Sequence, residues 1–297
     1  MRRPGRRWLL GIGLLLVTVG GLLTRRAAHR DVRQHLDRRQ PRPPAPGSVR
    51  LSVIVPAFRE EAIGETVRAI RAATADVAVD GGVEIVVVDD GSHDGTAERA
   101  EVAGADLVVR QPVNRGKGAA VRAGMLAAAG RTLVFTDADL AYAPDQIHGL
   151  LHRIEDGWDV VVGSRRHTET TTLVRARRVR ELGGRLINVL TRAVLLGDYR
   201  DTQCGLKAFR SDVATLIFSH SHIDGFAFDV EVFLLVERYG LSLSEVPVRL
   251  SNSARSTVHV VRDAARLLRD LFRIRAWAAI GVYDLHADEA LALQAPD

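Results

Sequence analysis

The chain has 297 residues, of which 46% are hydrophobic and 26% are charged, and its formal net charge at pH 7 is +5. This composition excludes an intrinsically disordered chain and is sufficient for a large hydrophobic core. The single cysteine, Cys204, excludes an internal disulfide framework and is typical of a reducing compartment. The positive charge favours an anionic partner, such as a nucleotide, a lipid phosphate or an acidic membrane face. We predict no nucleic-acid partner, because no basic motif interleaved with aromatic residues is present.

The N-terminal segment is apolar between two groups of arginines. Residues 8–23 carry no charge, which is slightly short of the ~20 residues that cross a bilayer, although flanking arginines can absorb the mismatch. A cleaved signal peptide is the alternative, but no small-residue cleavage site precedes Arg25 and Arg26. We therefore predict an uncleaved, single-pass membrane anchor over residues 1–24. The arginines around it favour a cytoplasmic location for the rest of the chain.

The next segment, residues 25–49, is basic and rich in proline. It ends in QPRPPAPGS (Gln40–Ser48), a composition typical of an extended spacer that lifts a domain off the membrane. We predict that the folded domain follows over residues 50–255.

Short β-branched runs alternate with helical patterns from Leu51 onwards. The apolar runs are LSVIVP, VEIVVVDD, ADLVVR and TLVFTDAD, and the helical patterns between them are EEAIGETVRAIRAA, GTAERAEVAG and GAAVRAGMLAAAG. This alternation predicts an α/β domain with a mostly parallel sheet flanked by helices. A helix-like, arginine-rich stretch follows over Thr172–Leu196, and a further strand is predicted at Glu245–Leu250.

The C-terminal part carries an amphipathic, basic pattern. Over residues 256–282, apolar side chains and arginines separate onto different sides of a predicted helix. Such a helix packs either on its own domain or in a membrane interface, and the sequence leaves both alternatives open. The last residues, 283–297, are predicted to be a weakly ordered acidic tail.

Two carboxylates one residue apart, Asp137 and Asp139, end the apolar run LVFTDADL. Like charges this close repel, so the pair predicts a positive charge between them. Ligands bind at the carboxyl ends of strands in open α/β sheets. Mg²⁺ or Mn²⁺ with a substrate diphosphate fits such a pair, because these ions favour oxygen ligands from one or two carboxylates and from phosphates. We therefore predict a divalent metal site here.

Two earlier strand ends carry groups that suit a nucleoside. VVVDDGSHDGT ends a strand in Asp89 and Asp90, where a carboxylate can accept hydrogen bonds from a base or ribose. In SVIVPAFREE, Pro56 stiffens the loop, and Phe58 and Glu60 can frame a base.

The loop NRGKGAAVRAG contains Lys117 and is similar to a phosphate-binding loop, but it lacks the first glycine and the following Ser or Thr of the ATP-type pattern. We interpret it as a contact from backbone and lysine to donor phosphates. Lys117 and Lys207 are the two lysines of a chain rich in arginine, which indicates either a need for a compact point charge or chance survival on a solvated face.

Taken in order, VPAFREE, VDDGSHDGT, NRGKGAA, TDADL and VVGSR resemble glycosyltransferase family 2, whose members have the GT-A fold. The resemblance covers roughly residues 50–250. Three later segments, DTQCGLKAFR, FAFDVEVFLL and EVPVRL, are similar to the dolichyl-phosphate β-glucosyltransferases, within the wider group of polyprenyl-phosphate glycosyltransferases. The resemblance implies an inverting transfer from a nucleotide sugar to a polyprenyl phosphate, giving a β-linked glycosyl-phosphoryl-polyprenol.

The resemblance also implies roles for residues at matching positions. The positions that would bind the nucleotide sugar are Pro56, Phe58, Glu60, Asp89, Asp90, Lys117 and Asp137. The positions that would hold the metal are Asp137 and Asp139. The positions that would face the acceptor phosphate are Arg165 and a second arginine, either Arg178 or Arg180. Independently of the resemblance, Lys207 and Arg255 are further cations available to hold the acceptor phosphate. The positions implied in the chemical step are Asp137, Asp139, Arg165, Lys207 and Asp229. Within this set, Asp229 is assigned to positioning and not to a general base, because a phosphate acceptor is already anionic at neutral pH.

Two departures from the family pattern bear on the donor and the acceptor. Ala141 stands where mannose synthases commonly carry glutamine, which favours UDP-glucose over GDP-mannose. SNSARST, with Arg255, stands where related glucosyltransferases usually have a Gly-Ser-Lys turn. GDP-mannose and a UDP-N-acetylhexosamine remain alternative donors. The isoprenoid length and the oligomeric state are left open.

Two hypotheses from other classes are weaker. A sugar-phosphate nucleotidyltransferase needs a G-x-G-T-R loop after the first strand, and VPAFREE lacks it. An inactive nucleotide-sugar-binding scaffold would be expected to have lost a motif carboxylate, yet all of them are present.

Overall fold

A computed structural model describes residues 36, 37, 39, 42–165, 171–172, 199, 201–250, 260–286 and 289. The predicted anchor over residues 1–24 and most of the helix-like stretch after Thr172 lie outside the described residues. Three arginines of the predicted acceptor site also lie outside them, namely Arg178, Arg180 and Arg255. Within the described part of the chain, no helix combines the length and the apolar character needed to cross a bilayer.

The described residues form a seven-stranded sheet and a small two-stranded one. The strands are β1 (Val49–Ala57), β2 (Val83–Asp89), β3 (Leu107–Arg110), β4 (Gly130–Thr136), β5 (Val160–Ser164), β6 (Thr171–Thr172), β7 (Leu206–Arg210), β8 (Leu243–Pro247) and β9 (Arg249–Leu250). The large sheet has the order β3-β2-β1-β4-β7-β5-β8, and β6 pairs with β9. All neighbours in the large sheet are parallel except β7, which runs antiparallel to both β4 and β5.

Helices cover both faces of the large sheet. They are α1 (Ile63–Ala73), α2 (Ala75–Val79), α3 (Thr96–Val102), α4 (Lys117–Ala127), α5 (Ile147–Glu155), α6 (Ser211–His220), α7 (Phe228–Arg238) and α8 (Val260–Ala279). Successive side chains of a strand point to opposite faces, so Ile54 packs in one apolar cluster while Val53 and Val55 pack in the other. The predicted mostly parallel α/β fold is confirmed.

The antiparallel strand β7 was not anticipated from the sequence. All five of its residues are buried, but they include Lys207 and Arg210, so LKAFR does not read as an apolar run. Leu206 pairs with Thr136, the last residue of β4. The residues that precede β7 therefore lie beside Asp137. We call this side of the sheet, at the carboxyl ends of β1, β2, β4 and β5, the carboxyl edge.

The proline-rich segment lies at the opposite edge of the sheet and is attached there. Arg42 Nε is 2.9 Å from Asp159 Oδ1, and the Arg210 guanidinium donates a hydrogen bond to the Pro43 carbonyl at 2.8 Å. Proline lacks a backbone N–H but keeps a carbonyl oxygen, which can accept such a bond. Part of the predicted linker, Arg42 and Pro43, therefore contacts the domain at this edge. A cavity of about 580 Å³ lies beside them, far from the carboxyl edge.

Candidate active site

The two predicted metal ligands lie in a tight turn that follows β4. The Leu140 N–H donates to the Asp137 carbonyl at 3.3 Å, and the Ala141 N–H donates to Asp139 Oδ1 at 3.1 Å. Leu140 has a φ of 50°, which is unusual for a residue with a branched side chain and marks the turn as constrained. Burial raises the pKa of Asp139, and the charge of Asp137 adds to that rise. A nearby cation would favour the ionised pair.

Lys117 supplies one positive charge at this turn. Its Nζ is 2.5 Å from Asp137 Oδ1. Burial acts to lower the pKa of Lys117, but the charge of Asp137 and of further carboxylates outweighs it, so this pKa is raised above its ordinary value. The ammonium group is therefore protonated at neutral pH. Lys117 is the first residue of α4, at the end of the glycine-containing loop that was predicted to contact phosphates.

Gly205 makes the position of Asp137 possible. A Cβ atom added to Gly205 would lie 1.9 Å from Asp137 Oδ2, which is far inside van der Waals contact. Any other residue would push the carboxylate away. No local sequence pattern marks this glycine, although it lies within the DTQCG segment.

The second lysine lies below the first. Lys207 is fully buried, and its Nζ donates to Asp229 Oδ1 and to the Cys204 carbonyl, both at 2.6 Å. Burial raises the pKa of Asp229, and the ammonium groups of Lys207 and Lys117 oppose this rise. Both lysines lie near the Phe135 ring, with Nζ to centroid distances of 5.6 Å for Lys117 and 5.3 Å for Lys207. Both lysines of the chain thus belong to one group of alternating charges, in which Lys117 and Asp137 are partly exposed and Lys207 and Asp229 are buried.

Arg165 is held by a carboxylate from a distant part of the chain. Its Nε and Nη2 donate to the two oxygens of Asp201 at 2.6 Å and 2.8 Å, and its backbone N–H donates to Asp201 Oδ2 at 3.0 Å. The Asp201 side chain is 4% exposed and the Arg165 side chain is 42% exposed. Burial would raise the pKa of Asp201, but its bonds to Arg165 outweigh this and hold that pKa below its ordinary value. The paired geometry fixes an arginine that still faces solvent.

The two aspartates at the end of β2, Asp89 and Asp90, have different hydrogen-bond partners. The Asp90 carboxylate accepts hydrogen bonds from the backbone N–H groups of Arg115 at 2.9 Å and Gly116 at 2.8 Å. Burial raises the pKa of Asp90. Both of its oxygens thus fix the loop that precedes Lys117. Asp89 is 5% exposed and accepts a bond from the Ser92 N–H at 3.1 Å.

The loop after β1 leaves an aromatic ring open to solvent. Phe58 is 41% exposed, with the Arg59 guanidinium 5.0 Å from the ring centroid. The Glu60 backbone N–H donates to Thr96 Oγ1 at 3.1 Å, which ties this loop to the start of α3. Pro56 is partly buried at the end of β1. An exposed flat ring at a strand end can stack on a base.

The structure thus brings most of the predicted residues to one edge and gives some of them unexpected partners. Four of them lie at the carboxyl edge and are partly or fully exposed, namely Asp137, Asp139, Lys117 and Arg165. Lys207 is buried beneath this edge. Asp224 was not predicted. Its carboxylate accepts from the Arg122 guanidinium at 2.5 Å, which holds the loop over residues 221–227 against α4.

An α/β sheet of this topology, with an aspartate pair, a lysine and an arginine at its carboxyl edge, matches the GT-A fold. Residues 52–218 match the model of the family Glycosyl transferase family 2, more than half of the chain. The chain belongs to this family and is a glycosyltransferase.

Relatives of the chain include proteins of similar size and a set of solved enzyme structures. A dolichyl-phosphate beta-glucosyltransferase of Drosophila melanogaster is 34% identical over 253 residues, covering 80% of this chain and 77% of that protein. The Trichomonas vaginalis dolichyl-phosphate beta-glucosyltransferase ALG5A is 30% identical over 254 residues, covering 81% and 77%. The crystal structure of Mycobacterium tuberculosis glucosyl-3-phosphoglycerate synthase with Mn²⁺, UDP-glucose and phosphoglyceric acid superposes with a TM-score of 0.58 at 26% identity, covering 77% of this chain and 80% of that one. The same enzyme has been crystallised with Mg²⁺ and UDP.

Proposed function

We propose that this protein transfers glucose from UDP-glucose to a polyprenyl phosphate such as dolichyl phosphate, with inversion at the anomeric carbon. The observation that carries the proposal is the carboxyl edge itself, where Asp137 and Asp139 lie beside Lys117 and on the same edge as Arg165. Such an edge suits two anionic reactants. The relatives that act on dolichyl phosphate support this acceptor, and Ala141, together with the UDP-glucose of the mycobacterial synthase, supports the donor.

The oxygen atoms of Asp137 and Asp139 would hold a Mg²⁺ or Mn²⁺ ion. In the described residues no group of three or more His, Cys, Asp or Glu side chains is placed to bind an ion alone. Two carboxylates completed by substrate diphosphate and water fit the preference of these ions for oxygen ligands. When bound, such an ion offsets the charge that develops on the leaving diphosphate. Lys117 adds a fixed cation next to Asp137.

The nucleoside would lie across the ends of β1 and β2. Phe58 offers an exposed ring for stacking on the base, and Asp89 offers a carboxylate at the end of β2. Pro56 and Glu60 shape the same loop. Asp90 would act indirectly, because its oxygens hold the loop from which Lys117 reaches the donor phosphates.

The acceptor phosphate would approach from Arg165. An ionised phosphate oxygen attacks the anomeric carbon as the bond from that carbon to the diphosphate oxygen breaks, so no general base is required. Asp229 does not fit that role, because it is buried and ion-paired with Lys207. Arg165 would instead orient the acceptor, with its guanidinium fixed by Asp201. Arg178, Arg180 and Arg255 remain proposed contributors to this cationic region, whereas the buried Lys207 would act on it only through its ion pair with Asp229.

The membrane would supply the lipid acceptor. We propose that the N-terminal anchor over residues 1–24 keeps the catalytic domain on the cytoplasmic side. The nucleotide-sugar donor would then be soluble and the acceptor would lie in the bilayer, so the product can be separated from the donor in the lipid fraction.

A panel of labelled nucleotide sugars tests the proposal. The full chain in membranes is incubated with polyprenyl phosphate and UDP-glucose, GDP-mannose or UDP-N-acetylglucosamine, and the lipid fraction is examined for a glycolipid that mild acid cleaves. We expect product from UDP-glucose, its loss after chelation, and its recovery with Mg²⁺ or Mn²⁺. Product from another donor only would overturn the donor assignment, and the absence of a lipid product from every donor would overturn the acceptor assignment.

Asp139→Asn tests the metal role in the same assay. We expect it to abolish product while the unfolding transition is kept. Asp80→Asn is the matched control, because Asp80 is 85% exposed and pairs with Arg50 away from the carboxyl edge. Wild-type turnover in Asp139→Asn would contradict the role of this carboxylate.

A further inference from the structure

The helix α8 has one face packed on the domain. Leu267, Leu271 and Ile274 are 7%, 5% and 0% exposed and join the apolar cluster that α6 and α7 also line. Just after the helix, Tyr283 is fully buried and donates a hydrogen bond to Glu231 Oε1 at 2.7 Å. The domain-packing alternative for this helix therefore accounts for one side of it.

The opposite face of α8 is apolar and exposed. Leu268 is 36% exposed, Phe272 is 75% exposed, and Ile280, directly after the helix, is 75% exposed. Ala276 and Ala279 are exposed between them. Residues spaced by three or four lie along one side of a helix, so these five positions form a continuous outer stripe. An exposed apolar stripe of this kind marks an interaction surface.

Arginines border the outer stripe on both sides. At 100° per residue, Arg275 falls on one side of the stripe, Arg266 and Arg273 fall on the other, and Arg269 lies at that second edge between Ala276 and Ile280. All four are exposed. The single acidic residue of residues 266–279, Asp270, is buried and lies 3.0 Å from Arg269 and 3.5 Å from Arg273. The exposed charge along the stripe is therefore positive.

The helix also lies close to the carboxyl edge. A Cβ atom on Gly225 would lie 3.5 Å from Asp270 Oδ2, and a Cβ atom on Gly118 would lie 3.0 Å from the Gly225 carbonyl oxygen. Gly118 follows Lys117 directly. Further along α8, the Trp277 ring is 5.6 Å from the His222 ring, in the loop that Asp224 ties to α4. A surface that binds α8 would therefore lie close to the loop over residues 221–227 and, through it, to the carboxyl edge.

We propose that the outer stripe of α8 docks in the headgroup region of a bilayer that contains anionic lipids. Apolar side chains enter the boundary between headgroups and acyl chains, while the long arginine side chains reach lipid phosphates. The arginines on both borders decide the occupant, since a second copy of this chain would place the same positive charges against each other. The proposal does not depend on which sugar is transferred or on which acceptor is used.

A fluorophore placed on the stripe tests this docking in the full chain. The native thiol, Cys204, is buried, so Phe272→Cys can be labelled selectively with a fluorophore that responds to polarity. Val102→Cys is the matched control, because Val102 is 89% exposed on α3. In vesicles that contain phosphatidylserine and a lipid-borne quencher, we expect several-fold stronger quenching at position 272 than at position 102. Both labels sit in the same full-length chain, so any attachment of the N-terminus to the membrane is common to both measurements.

Three results would overturn the proposal. Equal quenching at the two positions would show that the stripe does not enter the bilayer. Equal quenching at position 272 in anionic and in purely zwitterionic vesicles would remove the role of anionic lipid. A shift of the label at position 272 in detergent alone, growing with protein concentration, would assign the stripe to a second copy of the chain.

Charge reversal provides the second arm. Arg266→Glu combined with Arg275→Glu changes one arginine on each border, and we expect it to reduce quenching at position 272 several-fold. Arg110→Glu, at a surface position on β3, is the control and is expected to leave the quenching unchanged. Unchanged quenching in the double variant would contradict the proposal. Because quenching reports the position of the helix and not catalysis, this experiment remains decisive even if the chain does not transfer glucose.

Discussion

Two ion pairs of nearly equal length lie in very different surroundings. Lys207 Nζ is 2.6 Å from Asp229 Oδ1, and these side chains are 1% and 7% exposed. Arg110 Nη1 is 2.7 Å from Glu101 Oε1, and these side chains are 46% and 47% exposed. Distance alone would rank the two pairs as equal.

The surroundings rank them differently. Water and salt screen the exposed pair, so either partner can lose the other at little cost. The buried pair has given up its hydration, and removal of one partner leaves a charge that water cannot reach. The buried pair therefore stabilises the structure around Asp137 and Lys117, whereas the exposed pair between α3 and β3 contributes little to stability.

Lys207→Met is expected to have the largest effect on stability. It leaves the Asp229 carboxylate buried without its nearest cation, which costs about 3–5 kcal/mol of the free energy of unfolding. Urea denaturation measures this loss. The double variant Lys207→Met with Asp229→Leu removes both charges and is expected to recover most of it. A single variant that is no less stable than Glu101→Ala would show that burial does not separate the two pairs.

Gly205→Ala is expected to act next, through a steric route. The new methyl group overlaps Asp137 Oδ2, so the carboxylate or β7 must shift, at about 1–3 kcal/mol of the free energy of unfolding. Because the Asp137 carboxylate then moves away from Lys117, the rate of glucosyl transfer should fall by more than the loss of folded protein accounts for. Both quantities are measured on the same preparation.

Gly149→Ala is the control for that substitution. A Cβ atom at Gly149 has no neighbour within 4 Å, and the residue lies inside α5. Alanine favours a helix over glycine by roughly 0.5–1 kcal/mol, so this variant should be slightly more stable. Wild-type turnover in Gly205→Ala would mean that the position of Asp137 is not critical.

The sequence predicted the part of the fold that rests on local patterns. The runs that became β1, β2, β3 and β4 are apolar, and each ends at polar residues, so the strand ends and the carboxylates after them could be located. In a parallel sheet those ends meet at one edge, which brings Asp89 and Asp137 to the same side. The strand β7 could not be predicted, because its buried Lys207 and Arg210 interrupt the apolar pattern.

The partners of the site residues could not be predicted, because they depend on contacts between distant segments. Asp201 is 36 residues from Arg165, and Lys207 is 22 residues from Asp229, with no local period that links either pair. The scarcity of lysine was the one compositional signal, and the structure places both lysines around Phe135. Side-chain burial alone separates Lys117, which reaches the carboxyl edge, from Lys207, which does not.

Asp201→Asn is expected to have an intermediate effect, because its pair is half buried. The loss of a charged partner for Arg165 should cost roughly 1–3 kcal/mol at neutral pH. Since Arg165 holds the pKa of Asp201 below its ordinary value, ionised Asp201 stabilises the fold fully above the unfolded pKa of ~3.9. That stabilisation is lost as the pH falls through the lower folded pKa. Urea denaturation of both proteins should therefore give a constant difference between about pH 7 and 5 and a shrinking one below about pH 4.

Two outcomes would contradict this assignment. A difference that vanishes between pH 7 and 5 would point to another titrating group, and a difference that persists at the lowest pH would point to a steric effect of the amide. Asp80→Asn is the control, because Asp80 pairs with Arg50 but is 85% exposed.

Glu101→Ala is expected to have the smallest effect. Its pair with Arg110 lies in water, where solvation replaces what the ion pair supplies, so the free energy of unfolding should stay within the error of urea denaturation. Any residual loss should disappear in roughly 0.5 M salt, because the Debye length then falls to only a few ångströms. A loss of stability that salt does not reduce would mean that solvent exposure does not weaken this ion pair relative to the buried pair of Lys207 and Asp229. The difference between the two pairs would then have to be explained by their geometry.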